Sequence, residues 1–239
     1  MGCCCMSKTK LRLLESAVLV ATALFITATV NAQQNQISSM VGGDVILPVT
    51  SLRETRLLGT LLQKYDFSCG SAAVATLLTH HYGYPVTESV IFEDMYRQGD
   101  QKKIKSEGFS LLDLKRGLAA HGFEADGFVQ PLEKLVQARL PAIVLINENG
   151  YMHFVVIKGI KGDRVLLGDP ANGTRAVSRS AFNASWPSGL LLVIHNRVSS
   201  ARFNLASDWR AAPQALLADG IHRDSLTNVT LPKNGLGDF

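Results

Sequence analysis

The sequence predicts a two-layer α+β domain on three observations. The first half of the chain carries capped, helix-like segments, the second half carries β-branched and leucine-rich runs, and short turns join those runs. Short turns demand antiparallel pairing, because parallel strands need long crossover connections. With 46% hydrophobic and 18% charged residues among 239, the chain can bury a core and is not globally disordered.

Residues 1–32 read as an export signal. Lys8, Lys10 and Arg12 lead into an apolar run of about 14 residues, Ala17 to Val30, and Val30-Asn31-Ala32 suits a signal peptidase cutting after Ala32. The run is shorter than the roughly 20 residues of a spanning helix, and an uncleaved anchor is the alternative. Cys3, Cys4 and Cys5 lie before the run and leave with the signal. The net charge of +4 loses half its value here, since three cations against Glu15 make +2. No dense basic run with interleaved aromatics remains, so nucleic acid is not an expected partner.

Residues 33–55 form a loose lead-in that contributes at most one edge strand, around Val45-Ile46-Leu47. Ser68 can cap a helix from Cys69 to about Tyr82, which Gly83 ends and Pro85 keeps from continuing. Thr87 caps a second helix to about Arg97, and a polar stretch, Gly99 to Gly108, follows. Ser110 with Asp113 resembles a capping box opening a third helix to His121-Gly122. Strands are expected at 142–146, 151–160, 164–168 and 190–195, with turns at 147–150, 161–163 and 170–173. The domain therefore spans 56–197. A C-terminal extension, 198–239, holds one short helix at 212–219.

After removal of the signal, Cys69 is the only cysteine. An exported chain with one thiol cannot form an internal disulfide, so that thiol is either buried and inert or reactive. Cys69 follows a loop and opens a helix, where unpaired N–H groups and the helix dipole favour a thiolate. Gly70 leaves room for a substrate backbone. Gln63, six residues upstream, can bring its side-chain amide beside the thiol and, with the Cys69 N–H, form an oxyanion hole. His153 stands in an apolar strand, where a histidine is ordinarily a satisfied core group. Asp169 follows it by 16 residues, across a turn at the end of the next strand. That placement lets Asp169 hold Nδ1–H while Nε2 faces the sulfur.

The run Gln63-Lys64-Tyr65-Asp66-Phe67-Ser68-Cys69-Gly70-Ser71-Ala72-Ala73, with His153-Phe154-Val155-Val156 and Gly168-Asp169-Pro170, resembles the bacteriocin-processing (double-glycine) peptidases, cysteine peptidase family thirty-nine of the papain-like clan. The resemblance covers roughly 56–196. It implies a papain-like fold, Cys69 as nucleophile, His153 as base and acid, Asp169 as orienter and Gln63 as oxyanion donor. Many family members are cytoplasmic domains fused to an export transporter. This sequence carries no nucleotide-binding motif and does carry a signal, so it looks closer to stand-alone periplasmic members that serve functional-amyloid secretion. The implied partner is a polypeptide substrate, an amyloid subunit or another secretion component, with no nucleotide. Ser68 stands where transporter-linked members often carry an acidic residue, and Ser68 and Gly70 are the expected substrate-lining residues.

No cofactor is expected, and no metal, because the adjacent His80 and His81 point about 100° apart on a helix. Trp186 reads as core. Two other functions fit the same residues: an acyl transferase using the same thioester, and an inactive papain-like module that grips a leader or an unfolded export client.

Overall fold

The computed structural model describes residues 36–37, 45–46 and 50–214. The expected signal at 1–32 lies outside the described residues. The chain divides into two units at Val49 and Thr50. In the first, β1 (Gln36–Ile37) and β2 (Val45–Ile46) form an antiparallel pair of their own.

The second unit opens with α1 (Leu52–Leu58), which begins inside the segment expected to be loose, 33–55. Ser51 and Glu54 close it with a capping box: the Glu54 N–H donates to Ser51 Oγ (3.1 Å) and the Ser51 N–H to Glu54 Oε2 (3.3 Å). All eight residues of α2 (Cys69–Thr76) are buried, which only small side chains such as Gly70, Ala72, Ala73 and Ala75 allow. The helix widens into a π-helical turn, Leu77–His81, and Gly83 ends it at φ +66°. Thr87 caps α3 (Glu88–Gln98) as expected, accepting from the Val90 N–H.

The polar stretch 99–108 is not a loop. It contains α4 (Gln101–Glu107), nucleated by Asp100, whose Oδ1 accepts from the N–H groups of Lys102 (3.0 Å) and Lys103 (3.2 Å). Only Ile104 of that helix is buried, so no apolar periodicity announces it. The Ser110–Asp113 capping box opens α5 (Leu111–Ala120) as read.

Next come β3 (Ala125–Val129) and α6 (Leu132–Ala138), then the strands β4 (Ala142–Glu148), β5 (Tyr151–Lys161), β6 (Arg164–Asp169) and β7 (Gly173–Ser178). The chain continues through α7 (Arg179–Ser185), β8 (Leu190–Ile194) and α8 (Ala206–Trp209). The six strands β3 to β8 form one antiparallel sheet in the order β3-β8-β4-β5-β6-β7. Both faces are covered. Phe154, Val156 and Ile143 pack with α2, α3 and α5, whereas Val155, Ile157 and Val144 pack with Leu132, Leu135, Phe182 and Trp186. Trp186 is core, as expected.

Segment 202–212 is held on the domain by long-range polar contacts. The Arg202 N–H donates to the His81 carbonyl (2.8 Å), and His81 Nδ1–H donates to the Arg202 carbonyl (2.6 Å). Asn204 receives the Ile160 N–H at Oδ1 (2.8 Å) and donates Nδ2–H to the Ile160 carbonyl (3.0 Å), at the bulge where β5 breaks register with β6. Any side chain at Gly159 would collide with Asn204. Of the helix expected at 212–219, residues 212–214 are not helical and the rest lies outside the described residues.

Lys158, on β5, is wholly buried. Its ammonium donates to the Gly59 carbonyl (2.6 Å), Asp208 Oδ1 (2.9 Å) and Thr174 Oγ1 (3.3 Å). Burial pushes its pKa down and Asp208 holds it up. Removing one partner of a buried pair leaves an uncompensated charge, which costs about 3–5 kcal/mol, whereas an apolar replacement of both is often tolerated. Asp208→Ala should therefore shift the urea midpoint strongly, and Lys158→Met/Asp208→Leu should recover most of the loss. An unchanged midpoint in Asp208→Ala would show that this pair does not hold segment 202–212.

Candidate active site

Cys69 is the first residue of α2, so its N–H has no partner within the helix. The side chain is 6% exposed and lies at a cavity of about 680 Å³ with Phe67, Phe109, Leu111, Met152, Phe154 and Leu190 along the walls. Ser68 does not cap the helix with its side chain. Its hydroxyl instead closes the preceding turn, accepting from the Tyr65 N–H (3.1 Å) and donating to the Tyr65 carbonyl (3.1 Å). Because Ser68 is fully buried with this hydroxyl spent, the expected substrate contact through its side chain is corrected. At Gly70 a Cβ would lie 2.8 Å from Leu114 Cδ1 and 3.1 Å from Phe109 Cβ, so the glycine admits the close approach of α5 and its lead-in.

His153 lies near the start of β5 and Asp169 ends β6. The hairpin between those strands brings them together: His153 Nε2 lies 2.8 Å from Asp169 Oδ1. The nitrogens are exchanged relative to the sequence expectation, because Nε2 and not Nδ1 meets the carboxylate. Nδ1 is buried without a hydrogen-bond partner among the described residues. Cys69 sits close enough to raise the histidine's pKa. The sulfur and the ring therefore approach one another without the alignment of a formed hydrogen bond. Burial pulls the His153 pKa down, but Asp169 and Cys69 outweigh it and push it up to about 9. Burial works against the Asp169 anion too, yet donors from His153, Asn172 and Ala171 hold its carboxyl well below the usual range.

Gln63 is also near this region, though otherwise engaged. Its N–H donates to the Pro170 carbonyl (2.9 Å), beside Asp169. Its Nε2 donates to the carbonyls of Tyr65 (3.0 Å) and Asp66 (3.3 Å), in the loop leading to Cys69. The fold thus gathers Cys69, His153 and Asp169, and places Gln63 on the adjoining loop with its amide turned to the backbone.

A family model described as the peptidase C39 family matches residues 59–199. The chain belongs to that family. It is similar to two proteins named "Probable functional amyloid protease FapD". That of Pseudomonas fluorescens is 41% identical over 65% of this chain and 69% of the relative. That of Pseudomonas aeruginosa is 35% identical over 74% and 79%. Among solved structures, a double glycine motif protease from an AMS/PCAT transporter, in complex with the leader peptide, covers 57% of this chain and 91% of its own at 27% identity and a TM-score of 0.46. The C39 chain is a cysteine peptidase of α+β architecture.

Three residues of this peptidase's site were missed in the sequence. Asn172 donates Nδ2–H to Asp169 Oδ2 (3.0 Å), and Arg175 donates Nε–H to the same oxygen (2.7 Å) while its Nη2 pairs with Glu148. The third, Tyr151, sits with its ring centroid 5.9 Å from that of His153 and donates its hydroxyl to the Asp66 carbonyl (2.8 Å). The turn Asp169-Pro170-Ala171-Asn172-Gly173 carried the one available signal, since aspartate heading such a turn bonds backbone N–H groups two and three residues on. Here the Ala171 and Asn172 N–H groups reach Asp169 Oδ1 at 2.9 and 3.3 Å.

The remaining described histidines stand apart from this site. His81 bonds to Arg202, His121 lies 3.2 Å from Asp94, and His195 lies 2.9 Å from Asp126. Among the described residues no group of three or more His, Cys, Asp and Glu is placed to hold a metal.

Two outcomes follow from this geometry. His153 is raised from 6.5 to about 9, so its imidazolium survives until then. Stability from the His153–Asp169 pair should be full below pH 6.5 and lost as pH climbs through about 9, and hydrolysis that uses the imidazolium as an acid should fall over the same range. Thermal melts and a pH–rate profile read both. Gly70→Ala should destabilise the fold by about 1–3 kcal/mol through overpacking against Leu114 and Phe109, with little change in KM for the protein that remains folded.

Proposed function

We propose that this peptidase hydrolyses its substrate through a thioester on Cys69, and that its client is an exported polypeptide of a functional-amyloid secretion system. The observation that carries the chemistry is a thiol lining a cavity beside an imidazole whose far nitrogen is fixed by a buried carboxylate. The Cys69 thiolate attacks the scissile carbonyl carbon, and the carbonyl oxygen becomes an oxyanion that the Cys69 N–H meets. His153 then gives its proton to the leaving amine as the C–N bond breaks. The neutral ring next takes a proton from water, whose oxygen attacks the thioester and releases acid and thiolate. Asp169 keeps the ring oriented throughout.

Gln63 serves as the second oxyanion donor once one of its Nε2 hydrogens leaves the Tyr65 or Asp66 carbonyl. The apolar cavity walls suit a peptide with small or apolar residues near the cleaved bond. Two similarities support the client. Both Pseudomonas relatives carry amyloid-protease names, and the N-terminus is basic and then apolar, as export signals are, which favours a periplasmic client.

Cys69→Ala should abolish cleavage and leave the melting temperature near that of the parent. Gln63→Ala should lower kcat by about 10²–10³. Cells carrying Cys69→Ala should accumulate a secreted client with a longer terminus, seen by mass spectrometry of secreted proteins. Identical termini in parent and variant cells would remove the proposed client, and turnover retained by purified Cys69→Ala would remove the mechanism.

A further inference from the structure

We infer that Arg175 and Glu148 are positioning residues for the catalytic pair, and that they extend it into a chain of alternating charge running Cys69, His153, Asp169, Arg175, Glu148. The inference rests on the roles proposed above for Cys69 and His153. It begins from the carboxylate. Asp169 is wholly buried and accepts five bonds: Oδ1 from His153 Nε2, the Ala171 N–H and the Asn172 N–H, Oδ2 from Asn172 Nδ2 and Arg175 Nε. A protonated carboxyl would bring an O–H against one of these donors, so the set selects the anion.

Arg175 supplies the one full positive charge on Oδ2, opposite the oxygen that holds His153. It comes from the edge strand β7, and its Nη2 pairs with Glu148 at the end of β4. In the sheet order β4-β5-β6-β7 the guanidinium therefore bridges the outer two strands across the ends of β5 and β6, which carry His153 and Asp169. Cys69, His153 and Asp169 are buried, Arg175 is half-buried, and the Glu148 side chain is 39% exposed. A strut of this kind fixes the carboxylate in place and also sets the field on it. The Arg175 charge opposes a proton on His153, and the Glu148 charge offsets that opposition.

Other groups also face His153. Cys69 approaches from α2, the Tyr151 ring lies tilted against the imidazole from the same strand, and the backbone carbonyl of Asp66 takes the Tyr151 hydroxyl. None of these changes in the test. The signs are opposite for the two new members. Loss of the Arg175 charge makes the imidazolium easier to hold, and loss of the Glu148 charge makes it harder.

The test follows the His153 ring signals by NMR against pH in the full chain carrying Arg175→Gln, Arg175→Lys, Glu148→Gln or both glutamines. The expected result is a titration midpoint raised by roughly half to one pH unit in Arg175→Gln and lowered by a smaller amount in Glu148→Gln. Arg175→Lys should restore the parent midpoint, and the double variant should lie between the two single ones. In peptide hydrolysis, Arg175→Gln should lower kcat about tenfold with KM little changed, as misorientation does. If Arg175→Gln does not fold, Glu148→Gln and Arg175→Lys still carry distinct expectations, a lowered and an unchanged midpoint. Equal midpoints in all folded variants, or shifts of one sign for Arg175→Gln and Glu148→Gln, overturn the inference and leave a purely structural ion pair. The titration reads the charge chain even if no peptide is cleaved, so a failure here and a failure of the peptidase mechanism remain distinct.

Discussion

An ionised carboxylate taken wholly out of water costs several kcal/mol unless each of its lone pairs finds a donor, and Asp169 imposes that demand on its surroundings. The demand reaches well beyond the histidine. Two donors are backbone N–H groups, which fixes the path of the turn after β6. That turn must tighten at Gly173, at φ +76°, where a Cβ would also lie 2.8 Å from the Arg56 carbonyl. So α1 closes over the turn, and the chain leaving α1 is tied down again where the Gln63 N–H meets the Pro170 carbonyl. From Gln63 the chain needs only the Tyr65–Ser68 turn to reach Cys69. One buried charge thereby couples the sheet, which carries His153, to the segment that presents Cys69.

The second requirement is that β5 hold still. Residues 153–160 are buried throughout, with alternate side chains entering the two cores. At its far end the strand carries Lys158, whose ammonium gathers Gly59, Thr174 and Asp208, and the bulge where Asn204 takes over the ladder bonds of Ile160. These contacts come from α1, β7 and the segment after β8. A histidine carried on such a strand is placed by packing on every side, as a reacting group requires.

The sequence made the layout readable because local chemistry agrees with the fold where the chain is most regular. Thr87, the Ser110–Asp113 pair and the Gly83 stop each act within a few residues of themselves. The strands expected at 142–146, 151–160, 164–168 and 190–195 were likewise legible, whereas β3 and β7 were not, and Cys69, His153 and Asp169, picked out by their spacing, lie near one another in the fold. Other features depend on partners far along the chain. Arg175 looks like an ordinary solvated residue in a short strand until its guanidinium is seen between Asp169 and Glu148, six and 27 positions away. Ser68 presents the same letter whether it caps the following helix or closes the preceding turn. The ring orientation of His153 depends on a side-chain rotation that no spacing encodes. Segment 202–212 has weak periodicity because polar contacts, and not an apolar stripe, hold it down.

In the proposed mechanism Gln63 is a donor kept near the reaction without being committed to it. Its Nε2 serves two neutral carbonyls, each bond worth about 0.5–1.5 kcal/mol net, while its Oε1 is buried with no hydrogen-bond partner among the described residues. The unpaired oxygen makes this a poorly satisfied environment for an amide. The Asp66 carbonyl, moreover, has a second donor in the Tyr151 hydroxyl, so it remains bonded if Gln63 turns away. An oxyanion forming on a substrate above Cys69 offers a charge-assisted bond roughly twice as strong as either neutral one. The exchange therefore runs downhill only while negative charge is present on the reacting oxygen. A donor with that property stabilises the transition state more than the ground state, which is the condition for raising kcat and not merely tightening binding.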